Sequence, residues 1–263
     1  GSIIINTNAG VVQSLTGDNT YTGTTSVIGG RLDIEGEVNV SAITVASGAA
    51  LGGDGANSGG ITFLNGSILS IDQQANADEL KTTGTLDTSG GNISIVFDEA
   101  RNTAGATVDL IDHSGGSWTG AVGNFNALSR DTVQDTAGVI QLVQAAAQTH
   151  SWSGVTNTTW DVDTSANWTS TDNLFAPSDT VTFGDTGVGT LTLDDSNGEI
   201  FPEQITFANT AGNDYTFNGS DLRVNNDVFF NNTGNVTFDN NIQTVGSSLT
   251  LNDAATGNVT ING

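Results

Sequence analysis

Apolar and polar residues alternate along most of this chain in short runs bounded by Gly, Asn, Asp or Ser. The runs are rich in Ile, Val, Thr and Phe. A period of two is typical of β-strands that bury one face, and no stretch keeps apolar residues at helical spacing over three turns. The pattern predicts an all-β protein with strands at 25–28, 31–34, 42–45, 61–64, 68–71, 93–97, 190–193, 204–207, 215–217, 222–224, 228–230, 236–238, 242–245, 249–251 and 259–261.

The strand spacing predicts a solenoid. Neighbouring strand centres lie roughly 6 to 12 residues apart, and three strands per coil give a rung of about 20 to 25 residues, the size of a β-solenoid repeat. We therefore expect a parallel β-helix. A sandwich of two antiparallel sheets has a similar strand spacing and stays open as the alternative.

Paired amides at several breaks favour the solenoid. Asn tolerates the left-handed backbone conformation, and stacked Asn side chains can hydrogen-bond from coil to coil. An ordinary turn role is the competing interpretation. The candidate stacking corners are Asn225, Asn226, Asn231, Asn232, Asn240 and Asn241.

The chain also divides into two predicted modules. Residues 144–148 form a small-residue stretch without strand pattern, and a tryptophan-rich segment follows. We expect a first β-helix module over 1–148, closed by an irregular segment at about 94–143, and a second over 149–263, opened by a Trp-rich cap.

Composition excludes several function classes. Five Lys and Arg stand against 29 Asp and Glu, for a net charge of −24, so binding to nucleic acid or to an anionic lipid face is not expected. The chain has no Cys, which removes disulfides and thiolate chemistry. The aliphatic run at residues 3–5 is far shorter than the ~20 residues that cross a bilayer, so no membrane span is expected.

One segment has partial calcium-loop spacing. Oxygen-bearing side chains occupy positions 1, 3, 5, 7 and 12, but Ala166 stands where the loop needs Gly, and position 12 is Asp rather than Glu. Solvated turn residues are the favoured interpretation, and no cofactor is expected beyond weak calcium binding. The calcium candidates are Asp161, Asp163, Ser165, Asn167 and Asp172.

Three tryptophans recur every eight residues: Trp152, Trp160 and Trp168. Their rings could plug the open end of a hydrophobic coil stack or stack on sugars. Burial is the commoner fate of large aromatic side chains, so a structural cap is favoured over glycan contact.

Candidates for catalysis all have a structural interpretation that we favour. Asp194 and Asp195 could flank a glycosidic bond, but neighbours on a strand point to opposite faces. His113, beside Asp112, could act as a base with Ser114 or Ser117 as nucleophile, although sequence neighbours rarely form a triad. His150 is interpreted as an exposed linker residue. No catalytic residue is predicted.

Several motifs resemble a known family. Residues 15–25 (LTGDNTYTGTT), 29–32 (GGRL) and 43–53 (ITVASGAALGG) resemble the autotransporter-associated β-strand repeat of bacterial passenger domains. Residues 151–168 (SWSGVTNTTWDVDTSANW), with 179–183 (DTVTF), are similar to the opening of another such module in large secreted adhesin-like proteins.

The resemblance implies a right-handed parallel β-helix displayed outside a Gram-negative-type cell. The expected function is non-enzymatic: a surface stalk, fibre or adhesive element. Since 222–263 and the opening motif look like successive parts of one coil, head-to-tail association into filaments is expected. A glycan-binding module and a polysaccharide-active enzyme are the alternatives, and surface glycans are possible partners.

Overall fold

The chain folds as a parallel β-helix, as the sequence predicted. The computed structural model describes residues 1–71, 80–97, 106–245, 249–251 and 256–263. The regular structure of these residues is β-strand, apart from one 3₁₀ turn at Val122–Asn124. No helix among them is long and apolar enough to span a bilayer. The chain divides into two compact units, of which unit 1 ends at Ala145 and unit 2 begins at Ala146.

Unit 1 places three short strands on each turn of the helix. Its strands are β1 (Ile3–Asn6), β2 (Val12–Leu15), β3 (Asp18–Asn19), β4 (Thr25–Gly29), β5 (Arg31–Ile34), β6 (Glu37–Val38), β7 (Ile43–Val45), β8 (Ala50–Gly52), β9 (Ala56–Asn57), β10 (Ile61–Phe63), β11 (Ile68–Ile71), β12 (Leu80–Thr82), β13 (Thr85–Asp87), β14 (Ile93–Phe97), β15 (Thr107–Asp112), β16 (Ser117–Thr119), β17 (Phe125–Asn126), β18 (Thr132–Thr136) and β19 (Val139–Val143).

These strands stack into three sheets that each gain one strand per rung. Sheet A runs β1-β4-β7-β10-β13-β16, sheet B runs β2-β5-β8-β11-β14-β17, and sheet C runs β3-β6-β9-β12-β15 before it reaches β19 and β18. The pairing is parallel up to β15 in sheet C and throughout sheets A and B. This pairing decides against the antiparallel sandwich.

The register fixes the rung length. Ile3 aligns with Thr25, Thr25 with Ile43 and Ile43 with Ile61, so successive rungs advance by 22, 18 and 18 residues. Two of these rungs are shorter than the predicted 20 to 25 residues. One corner is a single residue, Gly30, whose positive φ of 73° joins β4 directly to β5, and short corners of this kind reduce the rung length.

Side chains that point inward form continuous apolar columns. Leu32, Leu51 and Leu69 follow one another in sheet B, and each is fully buried. Val27 and Val45 do the same in sheet A. Burial of each such side chain contributes about 1.5–3 kcal/mol, so the stacked columns are the main source of stability.

An antiparallel hairpin closes sheet C of unit 1. Strand β19 pairs antiparallel with both β15 and β18. Its inward residues Ile140 and Leu142 are buried against the core. This hairpin lies in the irregular segment that the sequence indicated, and it covers a sheet edge that would otherwise be open.

Unit 2 repeats the coil with an aromatic interior. Its strands are β20 (Thr149–Trp152), β21 (Thr159–Asp161), β22 (Trp168–Thr169), β23 (Thr180–Phe183), β24 (Gly189–Asp194), β25 (Gln204–Phe207), β26 (Tyr215–Gly219), β27 (Leu222–Val224), β28 (Val228–Phe230), β29 (Val236–Phe238), β30 (Ile242–Thr244), β31 (Leu249–Leu251) and β32 (Val259–Ile261). Sheet D runs β22-β20-β23-β25-β28-β31, sheet E runs β21-β24-β26-β29-β32, and sheet F is β27-β30.

Phenylalanine rings stack from rung to rung inside unit 2. Phe183 lies 5.2 Å from Phe207, and Phe207 lies 5.2 Å from Phe230, with the rings within 18° of parallel. Phe217 and Phe238 form a second stack at 5.1 Å. Each aromatic pair adds about 0.5–1.5 kcal/mol beyond its buried area.

Glycine columns allow the corners of successive rungs to touch. Gly36 lies against the backbone of Gly17, and Gly55 lies against the backbone of Gly36. A Cβ atom at Gly36 or Gly55 would overlap the backbone of the rung before it. The high glycine content of the chain therefore has a packing reason at these corners, where no side chain fits between rungs.

Candidate functional site

The tryptophan-rich segment forms the first layer of unit 2. Strand β22 lies at the edge of sheet D and pairs antiparallel with β20, which places Trp168 opposite Trp152. Strand β21 opens sheet E and turns Trp160 inward above Leu193. The three predicted tryptophans therefore meet at one end of the core.

The three indole rings are buried. Exposure is 0% for Trp152 and Trp160 and 2% for Trp168. Trp168 lies 5.0 Å from Trp152 and 5.3 Å from Trp160, with the rings edge to face, and Phe175 and Phe183 pack around them. In this geometry the three buried rings present no face on which a sugar could stack.

His150 lies inside this cap, so its interpretation as an exposed linker residue is wrong. It lies two residues before Trp152 on β20, on the same inward face, pairs with Val181 of the next strand and is 0% exposed. Its Nε2 lies 2.8 Å from Asp179 Oδ2, and Asp179 is also fully buried. The carboxylate accepts further hydrogen bonds from the backbone N–H groups of Gln148 and Ala176. These contacts tie the loop before β23 to strand β20.

The calcium candidates are engaged in local hydrogen bonds. Asp161 accepts from both the N–H and the hydroxyl of Ser165, at 2.7 and 2.6 Å. Asn167 accepts from the N–H groups of Thr156 and Asn157 and is fully buried. These contacts fold the loop of the cap onto itself.

The remaining calcium candidates lie in turns. Asp172 accepts from Ser170 Oγ and from the N–H of Leu174. Asp163 has a positive φ of 56°. Within the described residues, no three His, Cys, Asp or Glu side chains converge in a way that could hold a metal ion.

The paired amides make two kinds of hydrogen bond, to acidic side chains and to backbone carbonyl groups. Asn225 and Asn226 donate to the Glu203 carboxylate, and Asn241 donates to Asp221, each one rung away. Asn232 and Asn240 point inward. Asn240 donates to the carbonyl of Ser220 on the neighbouring rung at 2.8 Å, whereas Asn232 donates to the carbonyl of Gly234 within its own corner at 2.6 Å. Asn231 accompanies Asn232 at its corner and is exposed. The coil-to-coil amide contacts at Asn225, Asn226 and Asn241 thus run to acidic side chains.

Carboxylates paired with amides or hydroxyls also line the outside of unit 2, and sequence reasoning missed them. Asp214 accepts from the N–H and the Nδ2 of Asn235, and Asp185 accepts from the N–H and the hydroxyl of Thr210. These hydrogen bonds lower the pKa of Asp214 and of Asp185, and the bond from the backbone N–H has the largest effect on each carboxylate. Neutral donors thus stabilise a carboxylate-rich surface that has few cations.

The residues considered for catalysis serve as turn and cap residues. Asp194 accepts from the N–H of Ser196, which lowers its pKa, while Asp195 accepts from the hydroxyl of Ser220. Asp112 accepts from Ser114 rather than orienting His113. His113 packs on Trp118 and lies 3.4 Å from Asp135 of the closing hairpin.

One further acidic group lies at the corner after sheet B. The pKa of Glu35 is raised by partial burial and by the charges of Asp54 and Asp33, and lowered less strongly by Arg31. Arg31 pairs with Asp33 at 2.5 Å. This corner therefore concentrates negative charge in unit 1.

Comparison with known proteins gives one significant similarity. The chain is 28% identical over 234 residues to the adhesin BmaC autotransporter of Brucella suis biovar 1 (strain 1330). The match covers 85% of this chain but 6% of that protein. No family model matches the chain, and no solved structure gives a significant match.

Proposed function

We propose that this chain is a non-enzymatic, adhesive β-helical segment of a bacterial cell-surface or secreted protein. The observation that carries the proposal is the similarity to an autotransporter adhesin over 85% of the chain, which takes in residues of both units. Stacked rungs provide a rigid scaffold whose outer side chains are available for contact. The hydrogen bonds that engage Asp194, Asp195 and Asp112 in turns favour a structural role over catalysis.

Adhesion of coated beads to cultured animal cells tests this function. Beads that carry the full chain are expected to bind well above beads that carry an unrelated, folded acidic protein of similar net charge. Equal binding of the two kinds of bead would contradict the proposal. Antibody labelling of intact source cells tests the location: a signal that appears only after the cells are lysed would overturn the surface assignment.

We also propose end-to-end stacking with a second copy of the chain. The outermost described strands of sheets D, E and F are β31, β32 and β30, and those of sheets A, B and C are β1, β2 and β3. Apolar residues of the inward columns are only partly covered on these rungs: Ile261, aligned with the buried Phe238, is 45% exposed, and Ile5, aligned with the buried Val27, is half-buried. A first rung laid on a last rung would continue the apolar columns and pair both sets of strand edges.

Light scattering over a range of protein concentrations tests this stacking. The wild-type chain is expected to grow in mass with concentration, and Ile261→Lys is expected to stay monomeric because it places a charge in the seam. Thr260→Lys is the matched control, since Thr260 lies beside Ile261 on β32 and continues an outward-facing column. A wild-type chain that stays monomeric throughout would rule out the second copy as partner.

A further inference from the structure

One face of unit 1 carries no charged side chain. It consists of the outer side of β1, β4, β7 and β10 in sheet A and of the corners on both sides of these strands, formed by residues 20–24, 39–42 and 58–60 before them and 7–11, 30, 46–49 and 64–67 after them. All of these residues belong to the described part of the chain, and none is Asp, Glu, Lys or Arg. We call this surface the neutral face. It spans four rungs of a chain whose net charge is −24.

The charged residues among 1–71 lie on the other sides of the coil. They belong to strands β3, β5 and β6 or to the corner that follows sheet B, and they are Asp18, Arg31, Asp33, Glu35, Glu37 and Asp54. The neutral face ends at the fifth rung, where Asp87 of β13 aligns with Thr62 in the outer column of sheet A. Charge in this part of unit 1 is therefore kept away from sheet A rather than spread around the coil.

Exposed aliphatic side chains project from the neutral face. Ile4, which begins the outer column of sheet A, is 68% exposed. Ile28 and Leu64 lie at the corner after the strands, where they directly follow the buried Val27 and Phe63, and both are exposed. The register places Ile28 and Leu64 two rungs apart on the same ridge. Covering this surface removes apolar area from water and desolvates no charge.

Val40 projects from the corner before the strands with an unusual backbone conformation. Its φ of 58° lies in the left-handed region, which β-branched residues rarely adopt, and its side chain is 61% exposed. Its N–H donates to Ser58 Oγ on the next rung at 3.0 Å, so the corner is held in place. Asn or Gly would take this conformation at lower cost. An exposed valine at a strained position gains nothing from the core of unit 1, and such strain clusters at residues that take part in binding.

The distribution of charge selects the partner. A cationic partner is drawn to the acidic sides of the coil, and an anionic partner is repelled by the net charge. The neutral face therefore fits a surface that is itself uncharged. A second copy of the chain provides one, because two neutral faces meet with no like charges in direct contact and cover the same aliphatic residues on both copies.

We infer that unit 1 pairs side by side with unit 1 of a second copy through the neutral face. This pairing goes beyond the end-to-end stacking proposed above, since it uses the outer side of a sheet and not the strand edges. Four rungs at about 4.8 Å and roughly 20 Å of strand and corner give about 400 Å² per copy. An interface of this size belongs to the weak, transient class. Pairing therefore depends on concentration, and copies held on one surface gain from multivalency.

Sedimentation velocity of the full chain tests the inference. The Ile261→Lys variant is the parent protein, because its altered last rung suppresses end-to-end stacking and leaves the neutral face unchanged. Concentrations run to about 1 mM, well above those at which stacking is measured, since the pair is weak. The parent is expected to form dimers. Its dissociation constant is expected to fall about tenfold between about 0.01 M and about 0.15 M salt, because salt screens the repulsion between the two acidic copies.

Ile28→Glu in the parent places a carboxylate on the neutral face of both copies and is expected to weaken pairing at least about tenfold. Thr192→Glu in the parent is the matched control. It adds the same charge at an exposed, outward-facing position of β24 in sheet E, so its pairing should equal that of the parent. Circular dichroism and thermal unfolding check that both glutamate variants fold.

Three results would each overturn the side-by-side pair. They are a parent that stays monomeric at about 1 mM and about 0.15 M salt, pairing that weakens as salt is added, and equal effects of Ile28→Glu and Thr192→Glu. A monomeric parent beside a wild-type chain that grows in mass would remove the neutral face as an interface and leave end-to-end stacking in place.

Discussion

His150 Nε2 and Asp179 Oδ2 lie 2.8 Å apart, with both side chains fully buried within the tryptophan cap of unit 2. The Asp179 carboxylate also accepts two backbone N–H groups, so it connects three points of the chain. A buried carboxylate with several donors organises the loop around it, and its loss leaves those donors without a partner.

Asp179→Ala is therefore expected to lower the free energy of unfolding of unit 2 by about 3–5 kcal/mol. Urea denaturation followed by tryptophan fluorescence measures the change, because three of the four tryptophans lie in this cap. Asp195→Ala is the control. Its carboxylate is exposed and accepts from Ser220, so the expected loss is at most about 1 kcal/mol. Equal effects of the two substitutions would contradict the organising role of Asp179.

Trp152 and Trp160 differ in hydrogen bonding, and this difference predicts different tolerance to phenylalanine. Trp152 Nε1 donates to the carbonyl of Gly187 at 2.9 Å, whereas Trp160 Nε1 is buried without an acceptor among the described residues. Trp160→Phe removes an unsatisfied donor and should cost less than Trp152→Phe, by about 1 kcal/mol. Trp160→Ala should cost about 3–5 kcal/mol. Thermal unfolding of the variants checks the order, which the reverse ranking of the two phenylalanine variants would refute.

Gly55→Ala tests the glycine columns. A Cβ at this position would overlap the carbonyl groups of Gly36 and Ile34, so the rungs must separate at the corner. The expected loss of stability is about 1–3 kcal/mol. Gly123→Ala is the control, because a Cβ there meets open space and the backbone φ is ordinary. That variant should be neutral or slightly stabilised. Chemical denaturation measures the free energy of unfolding of unit 1 in the full chain for the wild type and both variants. If Gly55→Ala is as stable as the wild type, the corners are not close-packed.

Glu35 and Asp87 should contribute to pH dependence with opposite signs. The pKa of Glu35 is raised, so the folded state retains its proton longer than the unfolded state, and stability falls as pH rises above the ordinary glutamate value of about 4.3. Glu35→Gln should therefore raise the unfolding midpoint at pH 7 relative to wild type, with little difference near pH 4.

Hydrogen bonds from the hydroxyl and the N–H of Ser89 lower the pKa of Asp87, so Asp87 stabilises the fold above its ordinary pKa and loses this effect in acid. Asp87→Asn should lower the midpoint at pH 7, and the difference should shrink as the pH falls through the folded pKa. Midpoints measured from pH 3 to pH 8 test both substitutions. A parallel shift of either variant at all pH values would contradict the assigned cause.

Strand positions were predictable where β-branched and aromatic residues alternate. The segments 31–34, 68–71, 93–97 and 204–207 are strands with the predicted bounds. The two-residue strands β3, β6 and β9 were missed, because Asp18–Asn19, Glu37–Val38 and Ala56–Asn57 are too short to show a period. Their pairing depends on neighbouring rungs rather than on local preference.

The cap was only partly predictable. Trp152, Trp160 and Trp168 identified it, but the position of His150 beside the predicted module boundary favoured its interpretation as an exposed linker residue. Strict alternation along β20 places His150 on the same inward face as Trp152, and this signal would have corrected the assignment. The Asp214 and Asn235 pair required the register between rungs, which a single sequence does not specify.

Two successive rungs of unit 1 have the same length of 18 residues, so this part of the coil is built from an exact repeat unit. Thr25, Ile43 and Ile61 occupy equivalent places on three successive turns. Deletion of residues 43–60 would therefore pair the strands of the preceding rung with equivalent strands of the following rung in all three sheets. Duplication of that segment would extend the coil in the same way. Genetic exchange between such segments can thus lengthen or shorten the protein in whole steps, whereas a partial step would turn core side chains out to water.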